Sequence, residues 1–392
     1  MYEWFRRKLY ARPARADLPA AVAPSDLLTD LGALLGRPAV KLDTPEIQRF
    51  LAGKRVLVTG AGGSIGSELC RQIVRFCPKK LVLLDRSEYG LFEIHRELKA
   101  AWVGSSVKPV VADVCDAERV KNVLAAERPQ VVFHAAAHKH VGLMEQNPGE
   151  AVKVNVLGTK HLADAAVRVG ASAFVFVSTD KAVNPTSVMG ATKRAAEMTV
   201  QDVAAQHLGR TRFCCVRFGN VLGSSGSVVP IFAKQIAAGG PVTVTHPLME
   251  RYLMTIPEAA GLIMQAGATA DGGEVFVLDM GEPVKILHLA RLMINRAGLE
   301  VGRDIAIRFT GVQPGEKLSE ELANAAQSTR PTRNPKIHVW DLPPVSSGEV
   351  RTILSRLAEA VDLPEAVVRS SLAASVPEYQ PAGHQPTLRL AA

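Results

Sequence analysis

"VLVTGAGGSIGSEL", Val56 to Leu69, runs from an apolar stretch through a glycine-rich turn into a helical pattern. Gly60, Gly63 and Gly66 form a Gly-x-x-Gly-x-x-Gly spacing. Glycine there permits a tight bend and lets backbone amides approach a pyrophosphate at a helix N-terminus. A glycine triplet alone is weak evidence, and its setting gives it weight. A second apolar run, "KLVLLD", ends in Asp85, 19 residues after Gly66, where a carboxylate would accept from a ribose hydroxyl. Candidate dinucleotide contacts are therefore Gly60, Gly63, Ser64, Ile65, Gly66 and Asp85, joined by Arg86, Asp113, Val114 and Ala135 around the next strand ends. Asp85 favours NAD, because a carboxylate repels a 2′-phosphate, while Arg86 beside it leaves NADP open. Asp113 in "VADV" is placed either to meet an adenine or to cap a helix.

Outward from this loop the same rhythm repeats. "RVLVTG", "KLVLLD", "VKPVVADV", "QVVFHAAA", "AFVFVSTD" and "RFCCVRFGN" are short apolar runs, separated by stretches of helical length such as 67–77 and 148–169. Alternating strand and helix predict a parallel sheet covered on both faces. The expected fold is α/β, a Rossmann-like doubly wound parallel sheet with a smaller C-terminal α/β substrate-binding lobe. Its parts are a lead-in segment over 1–50 with a short helix near Ser25 to Leu35, a dinucleotide-binding domain over 51–219, the lobe over 220–345, and a C-terminal helix and tail over 346–392.

A chain of 392 residues can bury a sizeable core. Its 46 basic against 38 acidic residues, net +8, suit an anionic ligand or surface. Aromatic residues make up only 5% and do not interleave with basic ones, so nothing points to nucleic acid. Five cysteines (Cys70, Cys77, Cys115, Cys214, Cys215) lack any CxxC spacing and sit mostly in apolar runs, as reduced thiols of a cytoplasmic protein would. No run of 18 apolar residues exists to cross a membrane. The opening segment carries Arg6, Arg7, Lys8, Arg12 and Arg15 without an apolar core behind them, which argues against a secretory signal. It reads as a solvated tail or as a contact with an anionic membrane surface, at the inner face of the membrane.

The chemistry concentrates in "STDKAVNPTSVMGATKR", Ser178 to Arg194. In a dehydrogenase fold of this kind, a strand ending in Ser or Thr and followed by Tyr-x-x-x-Lys marks the catalytic centre. Lys193 is in place, but the residue four before it is Met189, and a thioether neither gives nor takes a proton. Thr179, Asp180 and Lys181 instead supply a hydroxyl, a carboxylate and an amine at the carboxyl edge of a parallel sheet, where ligands bind. Alone, the pair Asp180 and Lys181 would read as an ion pair in a turn.

Together with "LLDRSEYGLFEI", "HAAAHKHVGLMEQNP", "RFGNVLGSSGSVVPIF" and "PGEKL", these motifs resemble the nucleotide-sugar 4,6-dehydratases of the extended short-chain dehydrogenase/reductase superfamily. The resemblance runs from about Gly36 to Trp340, with a further match at "VPEYQP", Val376 to Pro381. It is strongest to large forms whose catalytic part follows a membrane-embedded region, and those also carry Met at this position. The resemblance implies a reaction in which hydride leaves carbon 4 of a hexose for NAD, a proton leaves carbon 5, the carbon 6 hydroxyl departs, and the hydride returns to carbon 6. It implies Asp180 as acid at carbon 6, Lys181 as a partly neutral base at carbon 5, Thr179 on the carbon 4 oxygen and Lys193 on the nicotinamide ribose, with Met189 a feature of the subgroup.

The resemblance further implies Lys139 and His140 at a substrate pocket, Asn220, Arg251 and Glu316 on the nucleotide side, and Asn155 supporting the active-site loop. Gln313 departs from the pattern, which has Arg before "PGEK". The implied substrate is a UDP-N-acetylhexosamine and the implied partner a second copy of the chain, met through helices beside the active site. His134, His138 and His140 invite a metal reading, but no Cys or carboxylate falls in register with them, and no metal is expected. Rival readings are a 4-epimerase, disfavoured by the missing tyrosine, and a non-catalytic cofactor-binding scaffold, disfavoured by the Thr-Asp-Lys cluster.

Overall fold

The structure, a computed structural model, describes residues 23–29, 31–32, 44–102, 106–321, 329–343 and 345–381. The basic opening segment therefore lies outside the described residues. Six strands, β1 (Arg55–Thr59), β2 (Lys80–Asp85), β3 (Val107–Val111), β4 (Val131–His134), β5 (Ala173–Val177) and β6 (Arg212–Arg217), pair in parallel in the order β3-β2-β1-β4-β5-β6. The sheet continues past β6 through Glu274–Leu278, also parallel, then Ile337–Trp340, which is antiparallel, and ends at Thr329–Pro331. The strand order reverses at β1, so the crevice between the carboxyl ends of β1 and β4 is the switch point where such sheets take ligands.

Both sheet faces are covered, which is why the central strands read as continuous apolar runs: all four residues of β4 are buried. One face packs against the helices Pro45–Leu51, Ser64–Val74, Glu88–Ala101 and Ile256–Thr269. The other packs against Ala117–Glu127, Gly158–Arg168 and Val188–Gln206.

The expected lobe over 220–345 is not one piece. Ile256–Thr269 and three of its strands belong to the main sheet and its core, because "EVFVL" is apolar on both sides and extends the outer edge of β6. What remains forms a separate apolar cluster around Leu222, Phe232, Val244, Leu253, Leu289 and Met293, which the Pro24–Leu27 helix joins through Leu27. The C-terminal stretch also differs from the single helix expected. Two helices, Ser347–Ala360 and Glu365–Ser375, bury Val350, Ile353, Leu357, Val368 and Leu372 against Val152, Val156, Met189 and Met198. Among the described residues, no helix is long and apolar enough to cross a membrane.

A buried ionic cluster joins these layers. Glu197 is fully buried in the Val188–Gln206 helix. Its Oε1 accepts from Ser178 Oγ at 2.6 Å and Arg217 Nε at 2.7 Å, and its Oε2 from Arg217 Nη2 at 2.5 Å. Arg194 approaches the same carboxylate at 3.6 Å and pairs with Glu378 of the C-terminal strap at 3.2 Å. Burial pushes the Glu197 carboxyl up, but Arg217, Arg194 and the Ser178 hydroxyl overcome it and leave its pKa below the ordinary value. Removing one partner of such a pair strands the other charge. Glu197→Ala is therefore expected to lower stability by about 3–5 kcal/mol, read as a shift of the urea unfolding midpoint at pH 7.

Candidate functional site

The glycine loop is built for close backbone approach. Gly60 has φ +66°, and a Cβ there would lie 2.6 Å from Ala136 N. A Cβ on Gly66 would lie 1.9 Å from Gly60 O, so only glycine lets the first helical turn sit against the loop. Gly63 is the N-cap of the Ser64–Val74 helix, which leaves the amides at Ser64 and Ile65 at a helix N-terminus. Asp85 closes the loop from the next strand: its Oδ2 accepts from Gly62 N at 2.8 Å and its Oδ1 from Ser87 N at 2.8 Å. Arg86 lies 3.8 Å from Asp113 and 3.3 Å from His138 Nε2. Asp113 accepts from Cys115 N, and the cap of the following helix is Asp116, not Asp113. Val114 is buried against Gly158, and Ala135 donates its N–H to Thr59 O at 3.1 Å. These residues form one cradle over the switch point, and an anionic pyrophosphate fits its chemistry.

Next to the cradle, β5 ends and the chain turns through a short 3-10 segment, Asp180–Ala182, capped by the Thr179 hydroxyl. Thr179 Oγ1 donates to Asp180 Oδ1 at 2.9 Å. Lys181 Nζ donates to Asp180 Oδ1 at 3.0 Å and Asn220 Oδ1 at 3.0 Å, and a second carboxylate, Glu320, stands 3.4 Å away. Burial lowers the Lys181 pKa, but Asp180 and Glu320 outweigh burial and the nearby Arg251 and raise it, so the amine keeps its proton. Asp180 Oδ2 is buried with no hydrogen-bond partner and faces Gly219, whose Cβ would approach it to 3.0 Å.

Lys193 presents the opposite case. Its Nζ donates to Val177 O at 2.7 Å and lies 3.9 Å from the centre of the Phe176 ring. Burial pulls its pKa down to about 7, with Glu197 only partly opposing. Met189, one turn earlier, is 3% exposed and belongs to the apolar cluster under the C-terminal helices.

The remaining site residues divide. Lys139 Nζ lies 3.4 Å from Ser224 Oγ, and the His140 ring packs on Gly226; burial depresses both pKa values. The same "GSSGS" loop reaches the cradle, where Ser225 N donates to Ser64 Oγ at 3.1 Å, a closure that no pattern in the sequence announces. Arg251 is buried, with Nη1 on Glu250 O and Leu318 O and Nε 3.8 Å from Glu320. Glu316 Oε2 accepts from the backbone N–H of the exposed Gln313 at 3.1 Å. Asn155 sits in a π-helical turn, Lys153–Leu157, and bonds both N–H and C=O of His138 at 2.8 and 3.0 Å. His134 is buried between Thr59 and Thr159, and burial drops its pKa to about 3. It is a satisfied neutral residue of the core.

This switch-point cradle, with a Thr-Asp-Lys cluster and a buried lysine beside it, defines an extended short-chain dehydrogenase/reductase fold. Residues 56–341 match the family described as polysaccharide biosynthesis protein, and the chain belongs to that family. It is 51% identical over 344 residues to the probable polysaccharide biosynthesis protein EpsC of Bacillus subtilis, covering 88% of this chain and 56% of that one. It is 32% identical to a UDP-N-acetylglucosamine 4,6-dehydratase (inverting) of Campylobacter jejuni, covering 70% and 79%. Among solved structures, Pen from Bacillus thuringiensis superposes with a TM-score of 0.69 at 34% identity, covering 76% and 89%. The Thermus thermophilus UDP-glucose 4-epimerase complex with NAD gives 0.59 at 25% identity, covering 69% and 90%. The chain spans about half the length of EpsC.

The Lys193 amine makes a signed prediction. Its folded pKa of about 7 lies below the unfolded value of 10.5, so the unfolded chain binds the extra proton between these pH values and stability rises with pH there. The burial penalty is complete below pH 7. Lys193→Met is expected to be most favourable relative to the parent at pH 6 and to lose that advantage steadily toward pH 10, read as the difference in urea midpoints. Gly66→Ala is expected to destabilise by about 1–3 kcal/mol in the same assay, since the displaced atom would be backbone.

Proposed function

We propose that the chain is a nucleotide-sugar 4,6-dehydratase that works with a bound, recycled NAD and acts on a UDP-N-acetylhexosamine, UDP-N-acetylglucosamine first among them. The observation that carries this reading is the contact between Asp180 and Lys181 at the end of β5, with one carboxylate oxygen left unpartnered. Bound NAD would take hydride from carbon 4 and return it to carbon 6. Its pyrophosphate would lie on the amides of Gly60 to Gly66, and the Asp85 carboxylate, now on two backbone amides, would turn to the adenosine ribose.

Dehydration needs an acid and a base on neighbouring carbons. Asp180 and Lys181 hold one shareable proton between them. Moving it across the 3.0 Å contact from ammonium to carboxylate yields a carboxylic acid and a neutral amine together. In a site shut off from water the neutral pair is the form favoured by desolvation. Lys181 would then remove the carbon 5 proton and Asp180 protonate the departing carbon 6 hydroxyl. Thr179 would orient the carbon 4 oxygen, and Lys193 the nicotinamide ribose. Met189 contributes no proton and serves as packing. The carbon 4 hydroxyl proton would leave through a water, because Asp180 already carries the proton it takes from Lys181.

Asn220 bonds Lys181 and Arg251 stands beside Glu320, and these two would meet the nucleotide diphosphate. The 32% identity to the Campylobacter dehydratase supports the class. A role in polysaccharide biosynthesis follows from the family, with a second copy of the chain as the expected partner.

Proton NMR of the protein with UDP-N-acetylglucosamine in heavy water tests the proposal. The expected product is a 4-keto-6-deoxy sugar with a new methyl signal and deuterium at carbon 5. Asp180→Asn and Lys181→Ala are each expected to cut turnover by at least ~10²-fold while still retaining NAD. Full activity in either variant would overturn the assignment, and a 4-epimer without a methyl signal would point to epimerisation.

A further inference from the structure

Glu320 falls in a loop with no regular periodicity, yet it is one of the most buried carboxylates in the chain, 5% exposed. Its Oε1 stands 3.4 Å from Lys181 Nζ and 3.8 Å from Arg251 Nε. The lysine ammonium has three N–H bonds, and Asp180, Asn220 and Glu320 surround it with one acceptor each. The backbone that carries Glu320 is itself tied to the active-site loop. Lys317 Nζ donates to Val183 O at 3.1 Å, Thr186 Oγ1 to Gly315 O at 3.1 Å, and Asn184 Nδ2 to Glu321 Oε2 at 2.6 Å.

We infer that Glu320 is a positioning residue of the Asp180–Lys181 pair, holding the lysine amine toward the hexose side and linking it to Arg251 on the diphosphate side. This rests on the reading of Lys181 as the carbon 5 base. The charged groups facing Lys181 are Asp180, Glu320 and Arg251, and of these only Glu320 touches both cations. Its negative charge favours the ammonium and so opposes proton transfer to Asp180. Glu320 therefore sets the pH above which the pair can work, and its geometry sets where the amine points.

The test is the pH dependence of kcat for Glu320→Gln, which keeps shape and an acceptor but removes the charge. For a base that must be neutral, activity rises with pH through the pKa of the lysine. Losing the carboxylate is expected to move that rising limb down by about one pH unit, and to lower the plateau kcat by on the order of tenfold through the loosened amine, with KM changing less. Arg251→Gln, which leaves Glu320 to Lys181 alone, is expected to move the limb up. A uniform loss at all pH values with an unmoved limb would make Glu320 merely structural and overturn the inference. Competitive labelling of Lys181 with acetic anhydride, read by mass spectrometry across pH, follows the amine without turnover. A lower labelling midpoint in Glu320→Gln supports the inference even if no sugar product forms, and an unchanged midpoint overturns it. Full turnover by Lys181→Ala would sink the dehydratase reading instead. If Glu320→Gln does not fold by circular dichroism, Glu320→Asp decides, since it draws the carboxylate back from Lys181: a lower labelling midpoint supports the inference and an unmoved one overturns it.

Discussion

A charge kept in an apolar interior must be paired, and the Val188–Gln206 helix buries four of them: Lys193, Arg194, Glu197 and Asp202. Unpaired, any one would cost several kcal/mol. Glu197 answers this constraint. Its carboxylate gathers Ser178 from the end of β5, Arg217 from β6 and Arg194 from its own helix, and Arg194 reaches the C-terminal strap through Glu378. Ser178 immediately precedes Thr179 and Asp180, and Lys193 lies one turn before Glu197. Thr179, Asp180 and Lys193 are therefore anchored, through their neighbours in the chain, to this one carboxylate.

The C-terminal helices explain why a thioether can stand where a phenol would be expected. They close over the start of the Val188–Gln206 helix and bring Val350, Ile353, Val368 and Leu372 into the cluster that holds Met189. Glu145 reinforces the junction, accepting from Val188 N at 2.7 Å and from Arg369 at 2.5 Å, while Gln380 N donates to Pro185 O at 2.9 Å. A buried phenol would need its own hydrogen-bond partner here, whereas methionine fills an irregular apolar gap without one. Met189 thus belongs to the packing of this corner, while Asp180 and Lys181 carry their polar groups on the separate Asp180–Ala182 segment.

How much of this was legible follows from what each element buries. The parallel strands announce themselves because burial on both faces leaves no polar alternation, and the glycine loop because Gly60 and Gly66 have no room for a side chain. The Thr179 to Lys181 cluster and Lys193 were legible as residue types at fixed positions. Glu320 was not, since "EKLSEE" holds three glutamates in an irregular loop and nothing local says which one turns inward. Glu197 reads as an ordinary polar helix position, although Arg217 inside the apolar "FCCVRF" already requires a buried counter-charge somewhere. The place of "EVFVL" was not legible, because it suits a strand in either sheet and only tertiary pairing sets it beside β6.

The two lysines of the site show how the same side chain is pushed in opposite directions by its surroundings. Both are buried, so burial pulls each pKa down. Lys193 meets a carbonyl and an aromatic face, neither of which carries a full charge, and burial wins. Lys181 meets two carboxylates at 3.0 and 3.4 Å, and they win. The chain therefore presents a near-neutral amine beside β5 for binding and a protonated amine for chemistry. Only the second is coupled to a carboxylate that can take its proton. A substrate that excludes water from this pair changes the balance without moving the backbone, because desolvation penalises the two charges of the ion pair and spares the neutral acid and amine.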